Sequence, residues 1–219
     1  MLRNFIHSSI NRGHKYFDNW LKINRCLICF GEALNKPWCS ACLTDLPWWD
    51  TAKRLKYPFV DSVTVSFRYD YPIDRLIQAG KYAPDYRLVS SLSSLMPKMP
   101  HLRSTSVIYP VPISTWGLIR RGFNQTPLLA REITRLPNFP LDEVSIHKRM
   151  FRSDQSTLNA EGRKSNAQTL FFSRPFNAAQ HTVIVDDVIT TGATVSAMAK
   201  ILKSNGAVSV DVYALAAVS

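Results

Sequence analysis

The chain has 219 residues, 46% of them hydrophobic and 20% charged, and a formal net charge of +11. That length suits one substantial domain with a small appendage, and that much apolar surface excludes a wholly disordered chain. No stretch approaches the roughly 18 consecutive apolar residues that span a bilayer, so membrane insertion is not expected.

The first 25 residues carry Arg3, Arg12, Lys15, Lys22 and Arg25 with no continuous apolar core. This is unlike a secretory signal, so a cytoplasmic location is expected. Residues 4–22 read as an amphipathic helix with Phe5, Ile10, Phe17, Trp20 and Leu21 as its apolar members. The four cysteines follow as Cys26, Cys29, Cys39 and Cys42, two Cys-x-x-Cys turns separated by nine residues. In a reducing compartment such pairs act as metal ligands or free thiols rather than disulfides. Two tight turns can present four thiolates to one Zn²⁺, and four ligands leave no open position for water. A structural zinc knuckle is expected. Trp38, Trp48 and Trp49 flank it and can form its core, stack on bases or, as the favoured reading, dock it on the main domain. The chain is thus divided into an N-terminal helical segment (1–25), a zinc knuckle with its linker (26–58) and a main domain (59–219).

From residue 60 strand-like and helix-like stretches alternate. Val63, Val65 and Phe67 alternate with polar residues as in a half-buried strand. Residues 72–79 and 85–96 have helical spacing, with Pro72 suited to a first turn. Residues 106–111 are an apolar run, and one longer helix is expected over 117–135. A short strand is expected at Val144 to His147 and a helix over 159–168, with Asn159 as its cap. Residues 182–187 read as a strand, 192–205 as a helix stopped by Asn205-Gly206, and 208–214 as the last strand. Such alternation defines an α/β domain with a largely parallel sheet and helices on both faces, whose ligands sit at the carboxyl ends of the strands.

The most informative segment is HTVIVDDVITTGATVSA at 181–197. An apolar strand runs into Asp186 and Asp187, and a small polar loop of Thr190, Thr191, Gly192, Ala193 and Thr194 opens a helix. Loop amides and a helix N-terminus together favour an anion, and glycine permits close backbone approach. The two acids can accept hydrogen bonds from sugar hydroxyls or hold hydrated Mg²⁺.

These residues resemble the 5-phosphoribosyl-1-pyrophosphate (PRPP) motif of type I phosphoribosyltransferases. The resemblance implies that Asp186 and Asp187 take the ribose 2′ and 3′ hydroxyls and that Thr190 to Thr194 take the 5′-phosphate. Purine-salvage members usually place an acid immediately before the Thr-Gly pair. Thr190 stands there, which disfavours that activity. Three further segments, KYAPDYRL at 81–88, VPISTWGLIRRGFNQTPLLARE at 111–132 and DQSTLNAEGRKSNAQTLFF at 154–172, together with the four cysteines, resemble the ComF/GntX family of competence-associated, phosphoribosyltransferase-like proteins. The resemblance covers most of residues 26–215. Ala83-Pro84-Asp85 departs from the family's usual small acidic turn.

Around this motif, Lys81 at a helix end is a candidate for pyrophosphate, the plain alternative being a solvated lysine. Adjacent arginines cannot both face one side of a helix, so of Arg120 and Arg121 the second is favoured as a phosphate contact. Asn124 and Gln125 are candidate substrate contacts. The polar stretch 152–166, with Gln155 and Arg163, resembles the loop that closes over PRPP in relatives and would exclude water there.

The charge is +5 over residues 1–60, +7 over 61–180 and −1 over 181–219. The basic surface therefore lies outside the acid-bearing motif, and it suits polyanions. Two readings follow. One is a Mg²⁺-PRPP-binding protein of DNA uptake or utilisation, with a phosphoribosyltransferase activity whose acceptor these residues do not reveal. The other is a non-catalytic adaptor that keeps the PRPP fold as sensor or scaffold and binds single-stranded DNA or a competence helicase.

Overall fold

A computed structural model describes residues 25–34, 36–82, 86–96, 106–133, 139–149 and 170–218. The expected helices at 4–22 and 159–168, and the candidates Gln155 and Arg163, lie outside them. The chain divides into two compact units between Leu46 and Pro47.

In the first unit two tight turns are stitched by Phe30 N–H to Cys26 O and Leu27 N–H to Pro37 O. A single helical turn follows, α1 (Ser40–Thr44), capped by Cys39, whose sulfur accepts from Cys42 N–H. Trp38 is buried.

The second unit opens with a strap, residues 47–60. Trp49 N–H donates to Ser66 O, Arg68 N–H donates to Pro47 O, and the Trp48 ring lies 4.6 Å from that of Phe67. Trp48 and Trp49 therefore belong to the sheet unit, because their backbone completes the edge of β1 (Ser62–Arg68). The unit boundary accordingly falls ahead of the strap, earlier in the chain than the expected division at 58/59.

The chain continues through α2 (Ile73–Tyr82), α3 (Tyr86–Ser93) and β2 (Val107–Pro110). The helix expected over 117–135 is two helices, α4 (Thr115–Arg121) and α5 (Thr126–Ile133). Gly122 ends α4 in the left-handed region at φ 78°. Asn124 then turns back, its amide donating to Val111 O and its Oδ1 accepting from Thr126 N–H. That side chain supplies the cap that starts the second helix. An antiparallel ribbon follows, β3 (Ile146–Lys148) paired with β4 (Phe171–Ser173). β5 (His181–Ile189), α6 (Ala193–Ser204) and β6 (Ser209–Ala217) complete the unit.

The main sheet has order β1-β6-β5-β2, every pairing parallel. Its strands alternate between two apolar faces, as buried parallel strands must. Ile184, Val210 and Val212 join Val195, Met198 and Leu202 of α6 in one core. Leu215 meets Ile77, Val89, Leu92 and Leu129 on the side of α2, α3 and α5. β5 is thus followed by a helix on one face, while α5, between β2 and β5 in the chain, contacts both strands from the other. The crevice between the carboxyl ends of β2 and β5 is the switch point at which such sheets bind ligands.

Candidate functional site

At that switch point β2 and β5 end side by side. Pro110 lies opposite Val185, and Val111 N–H donates to Val185 O at 2.9 Å. A cavity of about 190 Å³ opens immediately beyond, lined by Asp186, Asp187, Lys81, Arg121, Gln125, Lys148 and Thr194 among others. All of these residues belong to the second unit.

Both acids line this cavity, and they meet different partners. Asp187 faces α2 and the start of α5. Lys81 Nζ lies 2.8 Å from its Oδ2, and the Gln125 side-chain amide donates to the same oxygen. Thr126 Oγ1 donates to Val111 O at 2.6 Å, which pins the start of α5 against the end of β2 and so fixes Gln125.

Asp186 is 6% exposed. Burial, and next the neighbouring charge of Asp187, push its carboxyl well above the usual carboxylate range, against the opposing pull of the Asp187 N–H and Lys148. No ion pair forms at Asp186 among the described residues, and its Oδ1 accepts from Asp187 N–H at 2.8 Å. Lys81 and Gln125 thus hold Asp187, whereas burial and the neighbouring acid push Asp186 toward its neutral form. A buried carboxyl raised in this way regains its charge when hydroxyl donors or a cation come to it.

The small polar loop is a turn into α6. Gly192 is its N-cap at φ 75° with no side-chain cap of its own, and a helix N-terminus favours an anion. Thr194 lines the cavity, Thr190 and Thr191 are exposed, Gly192 is buried and Ala193 is half-buried. Thr191 Oγ1 accepts from Ala193 N–H at 3.4 Å. Of the paired arginines, Arg121 lines the cavity and Arg120 is exposed.

Two neighbours of the site went unread in the sequence. Lys148, on β3, reaches the cavity with its ammonium 5.7 Å from the Phe171 ring centroid on the paired strand. Tyr57, in the strap, lies against Gly192. Neither stands in a motif, and a three-residue strand carries too little periodicity to announce itself.

In the first unit the four cysteine sulfurs lie within 4.8 Å of one another, and Cys29 Sγ and Cys39 Sγ are 3.7 Å apart. Tetrahedral coordination at 2.3 Å demands a sulfur separation of roughly 3.8 Å. Backbone N–H groups of Ile28, Gly31 and Cys42 each point at a sulfur at 3.4 Å, an arrangement that favours thiolates. Burial alone would raise Cys26, but backbone N–H groups hold it down at about 6. Burial, and then the surrounding sulfurs, push Cys42 up. The donor set fits a soft divalent metal.

The fold and the site define a parallel-sheet α/β protein with a strand–turn–helix at its switch point and a cluster of four cysteines ahead of it in the chain. Over 184 residues the chain is 34% identical to the DNA utilization protein YhgH of Escherichia coli (strain K12), covering 81% of this chain and 76% of that protein. Over 204 residues it is 28% identical to Competence protein F of Haemophilus influenzae, covering 87% and 89%. The crystal structure of orotate phosphoribosyltransferase from Aeropyrum pernix is similar with a TM-score of 0.31 and 23% identity, covering 64% of this chain and 62% of that one. No family model matches the chain. With these relatives, the chain belongs to the ComF/GntX family. No helix among the described residues is long and apolar enough to cross a membrane.

Proposed function

We propose that this chain binds Mg²⁺-complexed PRPP in the cavity at the ends of β2 and β5 and serves DNA uptake or DNA utilisation, as the names of its relatives suggest. The observation that carries this reading is the pair Asp186 and Asp187. One is buried and forms no ion pair among the described residues, the other is held by Lys81 and Gln125, and both precede the turn into a helix N-terminus. In this reading the two carboxylates accept from the ribose 2′ and 3′ hydroxyls. The amides of the 190–194 turn and the Thr194 hydroxyl hold the 5′-phosphate. Arg121, Lys81 and Lys148 supply positive charge for the pyrophosphate, whose departure charge such fixed cations stabilise. Mg²⁺, when bound, neutralises pyrophosphate oxygens. Calorimetric titration with PRPP and Mg²⁺ tests the reading. Saturable binding is expected for the wild type, with affinity at least about tenfold lower in Asp187→Ala. No heat at millimolar ligand sinks it. A pyrophosphate-release assay against bases and amines then decides whether bound PRPP is turned over.

The first unit is read as a structural zinc site held by Cys26, Cys29, Cys39 and Cys42. A unit this small has little core of its own, so the metal supplies much of its folding free energy. Purified protein is expected to carry about one equivalent of zinc. Cys39→Ser should lose most of it and shift the fluorescence of buried Trp38. Metal content unchanged in that variant overturns the assignment.

A further inference from the structure

We infer that Tyr57 is a positioning residue whose ring holds the 190–194 turn in the shape that receives a phosphate monoester; the ligand half of this inference rests on the phosphoribosyl reading above. The contact itself is independent of that reading. A Cβ built on Gly192 would lie 2.1 Å from Cδ1 and from Cε1 of Tyr57 and 2.8 Å from Cγ. The ring therefore occupies the space beside the glycine Cα that any side chain at 192 would need.

The ring is itself anchored from both sides. Ahead of it, Trp49 N–H is bonded to Ser66 O, and the Trp49 indole N–H donates to Lys53 O at 3.1 Å. Behind it, Val60 N–H donates to Tyr57 O and Asp61 N–H to Val210 O. Asp61 Oδ2 accepts from Lys203 Nζ and from Val210 N–H, both at 2.7 Å. Tyr57 also packs, with Leu55 and Val60, on the core that contains Val195 and Met198 of α6. The strap is thus tied to β1, to β6 and to the helix that the turn begins.

The turn has few restraints of its own. Thr190 and Thr191 are exposed, and Gly192 is the residue type that is costliest to order. Amides that are already aimed bind an anion without an ordering penalty, whereas amides on a loose turn must be ordered by the ligand. A rigid ring against Gly192 removes that penalty. It leaves Thr194, on the cavity side, free for the ligand. What the ring contributes is shape, so phenylalanine should serve as well as tyrosine.

Two ligand probes separate this role from general stability. Ribose 5-phosphate reports on the turn, and Mg²⁺-pyrophosphate reports on the cationic part of the cavity. In Tyr57→Ala, affinity for ribose 5-phosphate should fall at least tenfold, while that for Mg²⁺-pyrophosphate stays within about twofold. Tyr57→Phe should match the wild type with both. In ligand-free protein, amide exchange at residues 192–194 should accelerate in Tyr57→Ala but not in Tyr57→Phe, with Val183 and Val185 of β5 unchanged. Equal weakening of both probes, or exchange at 192–194 that matches the wild type, overturns the role of Tyr57 alone. Wild-type protein that binds neither probe overturns the phosphoribosyl reading and the ligand half of this inference, and the exchange data then decide whether the ring holds the turn.

Discussion

Replacing Gly192 by alanine lowers the melting temperature by roughly 5–15 °C and removes binding of phosphorylated ligand. Two costs add at one atom. At φ 75° an L side chain is strained by about 1–2 kcal/mol. The new methyl would also stand 2.1 Å from two atoms of the Tyr57 ring, and overpacking of that kind costs about 1–3 kcal/mol when the surroundings must shift. The sum, about 2–5 kcal/mol, corresponds to the stated drop for a chain of this size. The two costs can be separated, because only the second depends on Tyr57. In a double-mutant cycle with Tyr57→Ala the clash disappears while the backbone strain stays, so the double variant should be more stable than the two single losses predict by at least about 1 kcal/mol. Thermal and urea unfolding of the four proteins measure this. Additive losses would mean that the ring yields freely and does not hold the turn.

That cycle joins residues 57 and 192, and such distances explain which parts of the molecule could be read in the sequence. The strand–turn–helix at 181–204 was legible because its signals are local. Four apolar residues, two acids and a small polar turn follow one another, and each has its own physical reason. The cysteines were legible because spacing alone encodes a pair of metal-binding turns. The break between α4 and α5 was not, although Gly122 stood in plain view. A glycine inside a helical pattern is tolerated as often as it ends one, and the deciding contact, Asn124 to Val111 O, runs backwards to another element. Nor was β4 foreseen, since it is three residues long and its partner β3 lies beyond the intervening polar stretch. Lys81 and Gln125 stood out as polar residues among apolar ones. Their meeting on a single oxygen of Asp187 spans 62 residues in the case of Gln125, and no local pattern announces a contact of that range.

Asp186→Asn should stabilise the ligand-free protein while abolishing tight binding of Mg²⁺-PRPP, and the equivalent change at Asp187 should do only the second. Asp186 is buried, its carboxyl is raised by burial and then by Asp187, and Lys148 opposes this only in part. A carboxyl raised in the folded state contributes stability that is fully present below its ordinary value near 3.9. That contribution is lost as the pH rises through the raised value. At neutral pH the wild type therefore bears the cost of keeping this carboxyl buried. An amide of the same shape can still accept from Asp187 N–H and carries no charge. The expected gain is about 1–2 kcal/mol, or roughly 2–8 °C, at pH 7–8, and it should shrink toward zero as the pH falls to about 4. Asp187 differs because its charge is already met by Lys81 at 2.8 Å and by Gln125. Asp187→Asn leaves the lysine, which is largely buried, without its partner, so stability should fall. Two adjacent acids at the end of one strand thus respond to the same substitution with opposite signs. The difference follows from the partners each one meets. Melting curves from pH 4 to 8, with parallel calorimetry, read both effects. Equal destabilisation by the two variants would show that Asp186 is compensated after all, and that its burial is not held in reserve for a ligand.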